Sequence, residues 1–192
     1  MGSAVGQNRR MPLDYPDHVL ASVAVCLRAW RVDVLECIEA ASSDPRIPEG
    51  TTVPARYTAE EGRAFIDRQW GRQTSGQGLS MAIADRETDE AKGLVFLGLG
   101  RIRGHCSLGY WLIPAARRQG LGTEAIRLVS RWVLTATPVH RLVAQVEPSN
   151  TASLALLKKC GFADEGLLRS WLWINDEPRD VIQLSLLRTD LD

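Results

Sequence analysis

The stretch Tyr110–Thr123, YWLIPAARRQGLGT, constrains the chain most. It begins as a strand, is stopped at Pro114, crosses a short loop rich in arginine and glycine, and enters a helix near Gly120. From there to Thr135 the apolar residues Leu121, Ala125, Leu128, Val129, Trp132 and Val133 fall at offsets 0, 4, 7, 8, 11 and 12, the stripe of an amphipathic helix. A helix start leaves about four backbone N–H groups unpaired and carries a partial positive charge. Glycine at such a point lets a ligand approach the backbone closely. With arginine at hand, the segment suits a pyrophosphate.

The rest of the chain supplies layers around that segment. Val23–Trp30 reads as a strand and 31–41 as a helix, stopped at Asp44-Pro45. Pro45, Pro48, Gly50 and Pro54 mark 44–57 as a loop. Thr58-Ala59-Glu60-Glu61 resembles a capping box and opens a helix to about Arg72, followed by a turn over 71–78. Strands are predicted over 79–85, 91–100, 105–113, 141–146, 166–174 and 179–188, with a further helix over 149–159 before Gly161. The order β-α-α-β-β-β-α-β-α-β-β makes an α/β layered domain.

Composition narrows the partners. Of 192 residues, 23 are basic and 23 acidic, a balance that asks for neither nucleic acid nor an anionic membrane. No apolar run approaches the ~20 residues of a membrane helix. The four cysteines, Cys26, Cys37, Cys106 and Cys160, form no C-x-x-C pair and no ligand cluster with His18, His105 and His140. They read as reduced thiols, which points to the cytoplasm and to no metal. Residues 1–17 are polar with two prolines and read as a loose arm before a single domain over 18–192.

Three kinds of phosphate loop compete at Tyr110–Thr123. A Walker loop needs lysine after its last glycine, and none follows Gly122. A dinucleotide fingerprint near Gly98-Leu99-Gly100 has its third glycine one residue late and leads into a strand. The pattern [RQ]-x-x-G-x-[GA] is matched in full by Arg117 to Gly122. On its own that pattern also fits a merely glycine-capped helix.

Its context goes further. Gly109-Tyr110-Trp111-Leu112-Ile113-Pro114 precedes it; Asn150-Thr151-Ala152-Ser153, Lys159-Cys160-Gly161-Phe162 and Glu165-Gly166-Leu167-Leu168-Arg169 follow. In this order the set resembles the GNAT acetyltransferases, most of all their RimJ/RimL-type branch, from about Val23 to Leu187. The resemblance implies a mixed, mostly antiparallel central sheet flanked by helices, and acetyl-CoA as co-substrate. It implies that the strands at 105–113 and 141–146 splay apart around the pantetheine arm. Trp111, Leu112 and Ile113 would offer it backbone groups. Arg117, Arg118, Gln119, Gly120, Leu121, Gly122 and Thr123 would wrap the pyrophosphate. Asn150 would hydrogen-bond the arm, and Ser153 would protonate the leaving thiolate. A simple helix cap is the plainer account of Asn150 and Ser153.

The reaction so implied is attack of a neutral amine on a thioester. Where relatives carry a glutamate facing the acceptor, this chain has Ser107. His105, two residues back on the same strand face, and Glu147 are the substitute bases, beside a water chain with no single base. Trp171 and Trp173 could line an acceptor pocket with Arg101 or Arg103, although core packing explains them equally well; Asp176, Glu177 and Asp180 could attract a cationic amine, although an acidic turn is usually just solvated. The acceptor is expected to be a protein or peptide α-amine, with a small-molecule amine as the alternative and a non-catalytic acyl-CoA sensor as a third reading. The oligomeric state stays open between monomer and homodimer.

Overall fold

The strand segments pair into one continuous sheet in a computed structural model of the chain, which describes residues 13–32, 34–100 and 102–191. Among the described residues the strands are β1 (Leu20–Ala21), β2 (Val25–Arg28), β3 (Gly78–Asp85), β4 (Ala91–Leu99), β5 (His105–Leu112), β6 (Arg141–Val146), β7 (Ala163–Ile174) and β8 (Glu177–Leu187). Their order is β1-β2-β3-β4-β5-β6-β8-β7. Every neighbouring pair is antiparallel except β5 and β6. The mixed, mostly antiparallel sheet is the one expected.

The helices are α1 (Leu35–Ser42), α2 (Arg46–Gly50), α3 (Ala59–Thr74), α4 (Leu121–Ala136) and α5 (Thr151–Lys159). They cover the sheet unevenly. Phe65 of α3 packs edge-on against Trp30, and Trp111 of β5 closes that aromatic cluster on the α3 face. Leu112, the next residue, points the other way and meets the start of α4 at Gly122. Both faces of β3 are covered, so seven consecutive residues from Gly78 to Ala84 are buried. Along β6 burial alternates: Leu142, Ala144 and Val146 are buried, while Arg141, Val143 and Gln145 line a partly open face.

Three segments depart from the sequence reading. The expected loop at 44–57 contains α2, because Pro45 stands at its N-cap and Pro48 in its first turn, where a missing N–H costs nothing. Val23 is exposed and precedes β2, which pairs with the unexpected short β1. The arm expected over 1–17 is docked from residue 13 onward: Leu13 is buried and the Tyr15 hydroxyl donates to the Ser80 carbonyl at 3.0 Å. Residues 1–12 lie outside the described residues. Thr58 caps α3 as read, its hydroxyl accepting from the Glu61 N–H.

Candidate active site

Strands β5 and β6 stay together for three registers only, His105↔Arg141, Cys106↔Leu142 and Ser107↔Val143. Beyond that β5 runs on to Leu112 and β6 to Val146 without pairing, so a wedge opens between them. Strand backbone groups alternate in direction, and the Ile113 N–H donates to Lys92 O on the β4 side at 3.0 Å. Ile113 and Trp111 are therefore turned to β4, and the expectation that they serve the wedge is corrected. The residues whose N–H and C=O face it are Leu108, Tyr110 and Leu112. Sequence reading missed the first two, because the parity depends on which partner β5 meets.

At the end of the wedge the chain makes one 3-10 turn, Pro114–Ala116, and then two left-handed residues, Arg118 (φ 62) and Gly120 (φ 84). Gly120 is the N-cap of α4 and no side chain caps that helix, whereas Thr58 caps α3 and Asn150 caps α5. A Cβ placed on Gly120 would meet nothing within 4 Å. The 16-residue helix thus starts beside the wedge with no side chain over its N-cap glycine, and its first-turn N–H groups have no side-chain acceptor. Glu124, the acid of that turn, accepts a hydrogen bond from the Ser22 hydroxyl. Gly122 serves packing: a Cβ there would approach Leu156 Cδ1 to 2.9 Å and Leu112 Cδ1 to 3.2 Å. Leu121 is buried, Thr123 is half-buried, and the Thr123 carbonyl accepts the Cys160 thiol at 3.6 Å.

The two arginines of the loop have different surroundings. Arg118 is exposed and has no ion pair among the described residues. Arg117 is bound to the protein: its Nη1 lies 2.6 Å from Asp44 Oδ2, and its Nε donates to Leu112 O at 3.1 Å. Gln119 donates to Ala115 O at 2.7 Å.

Across the wedge, Asn150 Oδ1 accepts the Ser153 N–H at 3.2 Å, so Asn150 acts as the N-cap of α5. The Ser153 side chain stands near the Tyr110 phenol. Burial pushes the pKa of that hydroxyl up, and the nearby Ser153 side chain offsets part of the rise, although the contact falls short of good hydrogen-bond geometry. Tyr110 is a site residue that sequence reading treated only as part of a motif. Glu147 follows directly on β6 at the open end of the wedge, half-buried, its carbonyl accepting the Asn150 N–H.

His105 sits at the other, closed end. Its ring lies 5.5 Å from that of His140, and it pairs in register with Arg141. Burial lowers its pKa first, the charges of Arg141 and His140 lower it further, and Glu165 opposes them. The structure thus does not bring His105 together with Tyr110 and Ser153. Ser107, the last paired residue, donates to Gly98 O at 3.3 Å.

Three further carboxylates on this side, Glu165, Glu177 and Asp180, have partners. Glu165 is hydrogen-bonded by Arg141, by Ser185 at 2.8 Å and by Gln183 at 3.2 Å. These hold its pKa down at about 2, against an ordinary 4.5. The group is depressed on folding, so it stabilises the fold above pH ~4.5 and that contribution is lost as pH falls towards 2. Glu165→Gln is expected to lower Tm by about 2–4 °C above pH 5, with the difference from wild type closing near pH 2–3, as thermal melts across pH would read. Asp180 accepts the Ser170 N–H at 2.7 Å, and Glu177 pairs with Arg179 at 2.8 Å.

Trp171 and Trp173 are both exposed, at 54% and 73%. Trp171 lies in a bulge that interrupts the β7–β8 register between Leu168 and Leu172, and Trp173 stands opposite Pro178 near the hairpin tip. Arg103 precedes β5 at the closed end, so the registers put it roughly 35 Å from Trp173 along the strands. A pocket shared by Arg103 and Trp173 is excluded; Arg101 lies outside the described residues.

A family model described as an acetyltransferase (GNAT) domain matches residues 24–163. The chain is 29% identical to the uncharacterized N-acetyltransferase p20 of Bacillus licheniformis, over 77% of this chain and 84% of that protein. It is 32% identical to the [ribosomal protein uS5]-alanine N-acetyltransferase of Escherichia coli, over 44% of each. The solved structure of Mycobacterium smegmatis RimJ in complex with CoA-disulfide has the same fold, with TM-score 0.76 and 24% identity over 87% of this chain and 83% of that one. Because the family match runs from β2 into β7, and so takes in both walls of the wedge and the helix that opens beside it, the chain belongs to the GNAT family of acetyltransferases.

Proposed function

We propose that the protein transfers the acetyl group of acetyl-CoA to an amine by direct attack, and that the acceptor is a protein or peptide α-amine. The observation that carries the first part is the uncapped start of α4 at a left-handed glycine with open space above it, set at the mouth of the wedge. It suits a pyrophosphate, and exposed Arg118 adds a cation. The backbone groups of Leu108 and Tyr110, with the Leu112 N–H, suit an extended amide-bearing arm, as a missing strand would. Acetyl-CoA supplies the activated acyl group. The chain's own residues hold the reactants in line, with Ser153 keeping a proton on Oγ for the leaving sulfur and Tyr110 beside it.

The acceptor class rests on the base. Ser107 cannot remove a proton near neutrality, Glu165, Glu177 and Asp180 are engaged elsewhere, and exposed Asp176 lies in the turn of the β7–β8 hairpin, which leaves Glu147 as the carboxylate directly at the end of β6. Roughly a tenth of an α-amine is neutral at pH 7, against well under ~0.1% of a lysine amine, so an α-amine needs little base. The alanine-directed relative favours the same class. The test compares kcat/KM against pH for a peptide with a free α-amine and for a lysine peptide with a blocked N-terminus. The α-amine peptide should be turned over about 100-fold faster at pH 7, with a rate that rises to the amine's own pKa and an unchanged profile in His105→Ala. Faster turnover of the lysine peptide would overturn the α-amine assignment, and turnover of small amines alone would replace it with the small-molecule reading.

A further inference from the structure

The first arginine of the loop is held by a carboxylate 73 residues earlier in the chain, and that carboxylate stands at the start of α2. Asp44 is 8% exposed. Its Oδ2 takes Arg117 Nη1 at 2.6 Å, while its Oδ1 accepts the Arg46 N–H at 3.1 Å in the first turn of α2. Its carbonyl accepts the Ile47 N–H at 3.0 Å, so the start of α2 is built on Asp44. Burial alone would raise the Asp44 pKa; the hydrogen bonds from Arg117 and the Arg46 amide, with their charges, outweigh it and leave it lowered. At the other end of α2, Glu49 Oε1 accepts from Asn175 Nδ2 at 3.2 Å, at the tip of the β7–β8 hairpin. The path Arg117–Asp44–α2–Glu49–Asn175 therefore joins the phosphate loop to the hairpin by direct contacts. Arg117 also holds the carbonyl of Leu112 in the wedge and directly precedes left-handed Arg118.

We propose that Arg117 is a positioning residue, which couples the phosphate loop to α2 and the hairpin tip so that a filled loop orders that helix and hairpin tip. This rests on the acetyl-CoA reading above. A guanidinium that already spends Nε on Leu112 and Nη1 on Asp44 has its geometry fixed towards the protein, unlike Arg118. A phosphate ligand and a coupler predict different patterns of loss. If Arg117 were a phosphate ligand, Asp44→Asn would release it and leave affinity for coenzyme A equal or higher, whereas Arg117→Gln would lower it. As a coupler, the two substitutions cut the same link and behave alike.

The experiment is amide hydrogen exchange with and without coenzyme A, alongside calorimetric titration of coenzyme A, on wild type, Arg117→Gln, Asp44→Asn and Glu49→Ala. In the wild type, coenzyme A should slow exchange at residues 118–124 and, at least threefold, at Arg46, Ile47 and Glu49. In Arg117→Gln and Asp44→Asn the protection at 118–124 should remain, with Kd within about threefold of wild type, and the protection at 46–49 should be lost. Glu49→Ala changes an exposed side chain and leaves the buried pair intact. It should keep the protection at 46–49 and lose any at 175–179, which tests the path even if a buried-site variant fails to fold. Protection at 46–49 surviving in Arg117→Gln, or a tenfold weaker Kd there and not in Asp44→Asn, would overturn the coupling. Absence of binding and of protection at 118–124 in the wild type would overturn the acetyl-CoA reading and the coupling with it.

Discussion

Gly120→Asp is expected to weaken acetyl-CoA binding by at least 100-fold, about 2.7 kcal/mol, while leaving thermal stability almost unchanged. The two halves of that result have one cause. A Cβ at Gly120 meets nothing within 4 Å, so the protein itself raises no steric objection. The left-handed backbone (φ 84) costs an aspartate on the order of 1 kcal/mol. A carboxylate at an N-cap returns a similar amount by accepting first-turn N–H groups and meeting the helix dipole. Those N–H groups are the ones a pyrophosphate would use, so the substitution caps the helix and blocks the anion site in one step. Two like charges about 4 Å apart at a protein surface repel by roughly 4 kcal/mol, enough to reach the stated loss. Gly120→Ala brings the backbone strain without the charge and should cost no more than about tenfold. Calorimetric titration and thermal melts measure both quantities. An unchanged affinity in folded Gly120→Asp would remove the pyrophosphate from this loop.

Ser153→Ala is expected to lower kcat by about 100-fold or more, with the KM for acetyl-CoA changed less than about threefold, because a positioned proton donor acts in the transition state. Asn150 already caps α5 through the Ser153 N–H, a bond that alanine keeps, so a loss of rate would not reflect a loosened helix. Tyr110 gives the matching control. Its buried hydroxyl makes no hydrogen bond of good geometry, a condition that costs up to about 1–3 kcal/mol. Tyr110→Phe should therefore keep or raise Tm while slowing turnover about tenfold or more. If both hydroxyls attend one proton, the double variant should be no slower than the slower single one. A kcat within twofold of wild type in Ser153→Ala would reduce that residue to packing.

Periodicity made much of this legible. The stripe of α4 was readable within one residue at each end, and β6 falls at Arg141–Val146 as its composition indicated. The helix α2 was not, because Pro45 and Pro48 break helices in general and are tolerated at the first turn in particular, a distinction that needs the start to be known. Sequence also put His105 and Ser107 on one face without telling which end of β5 is closed. That depends on where the parallel pair parts after Ser107↔Val143, a tertiary outcome. The pairing of Arg117 with Asp44 lay beyond reach for the same reason: nothing local links positions 73 residues apart.

The bulge in β7 has a consequence for life at high concentration. β7 is the outermost strand, twelve residues long, and exposes Leu167, Trp171, Leu172 and Trp173. An unbroken ladder edge of that length and apolarity would be a template for another chain, the first step of edge-to-edge aggregation. Left-handed Ser170, pinned by Asp180, breaks the ladder midway, and Asp164, Glu165 and Arg169 place charge along the first half. No uninterrupted run is left for an incoming strand to zip along. The irregularity leaves the aromatics exposed at the rim without a continuous ladder edge beside them.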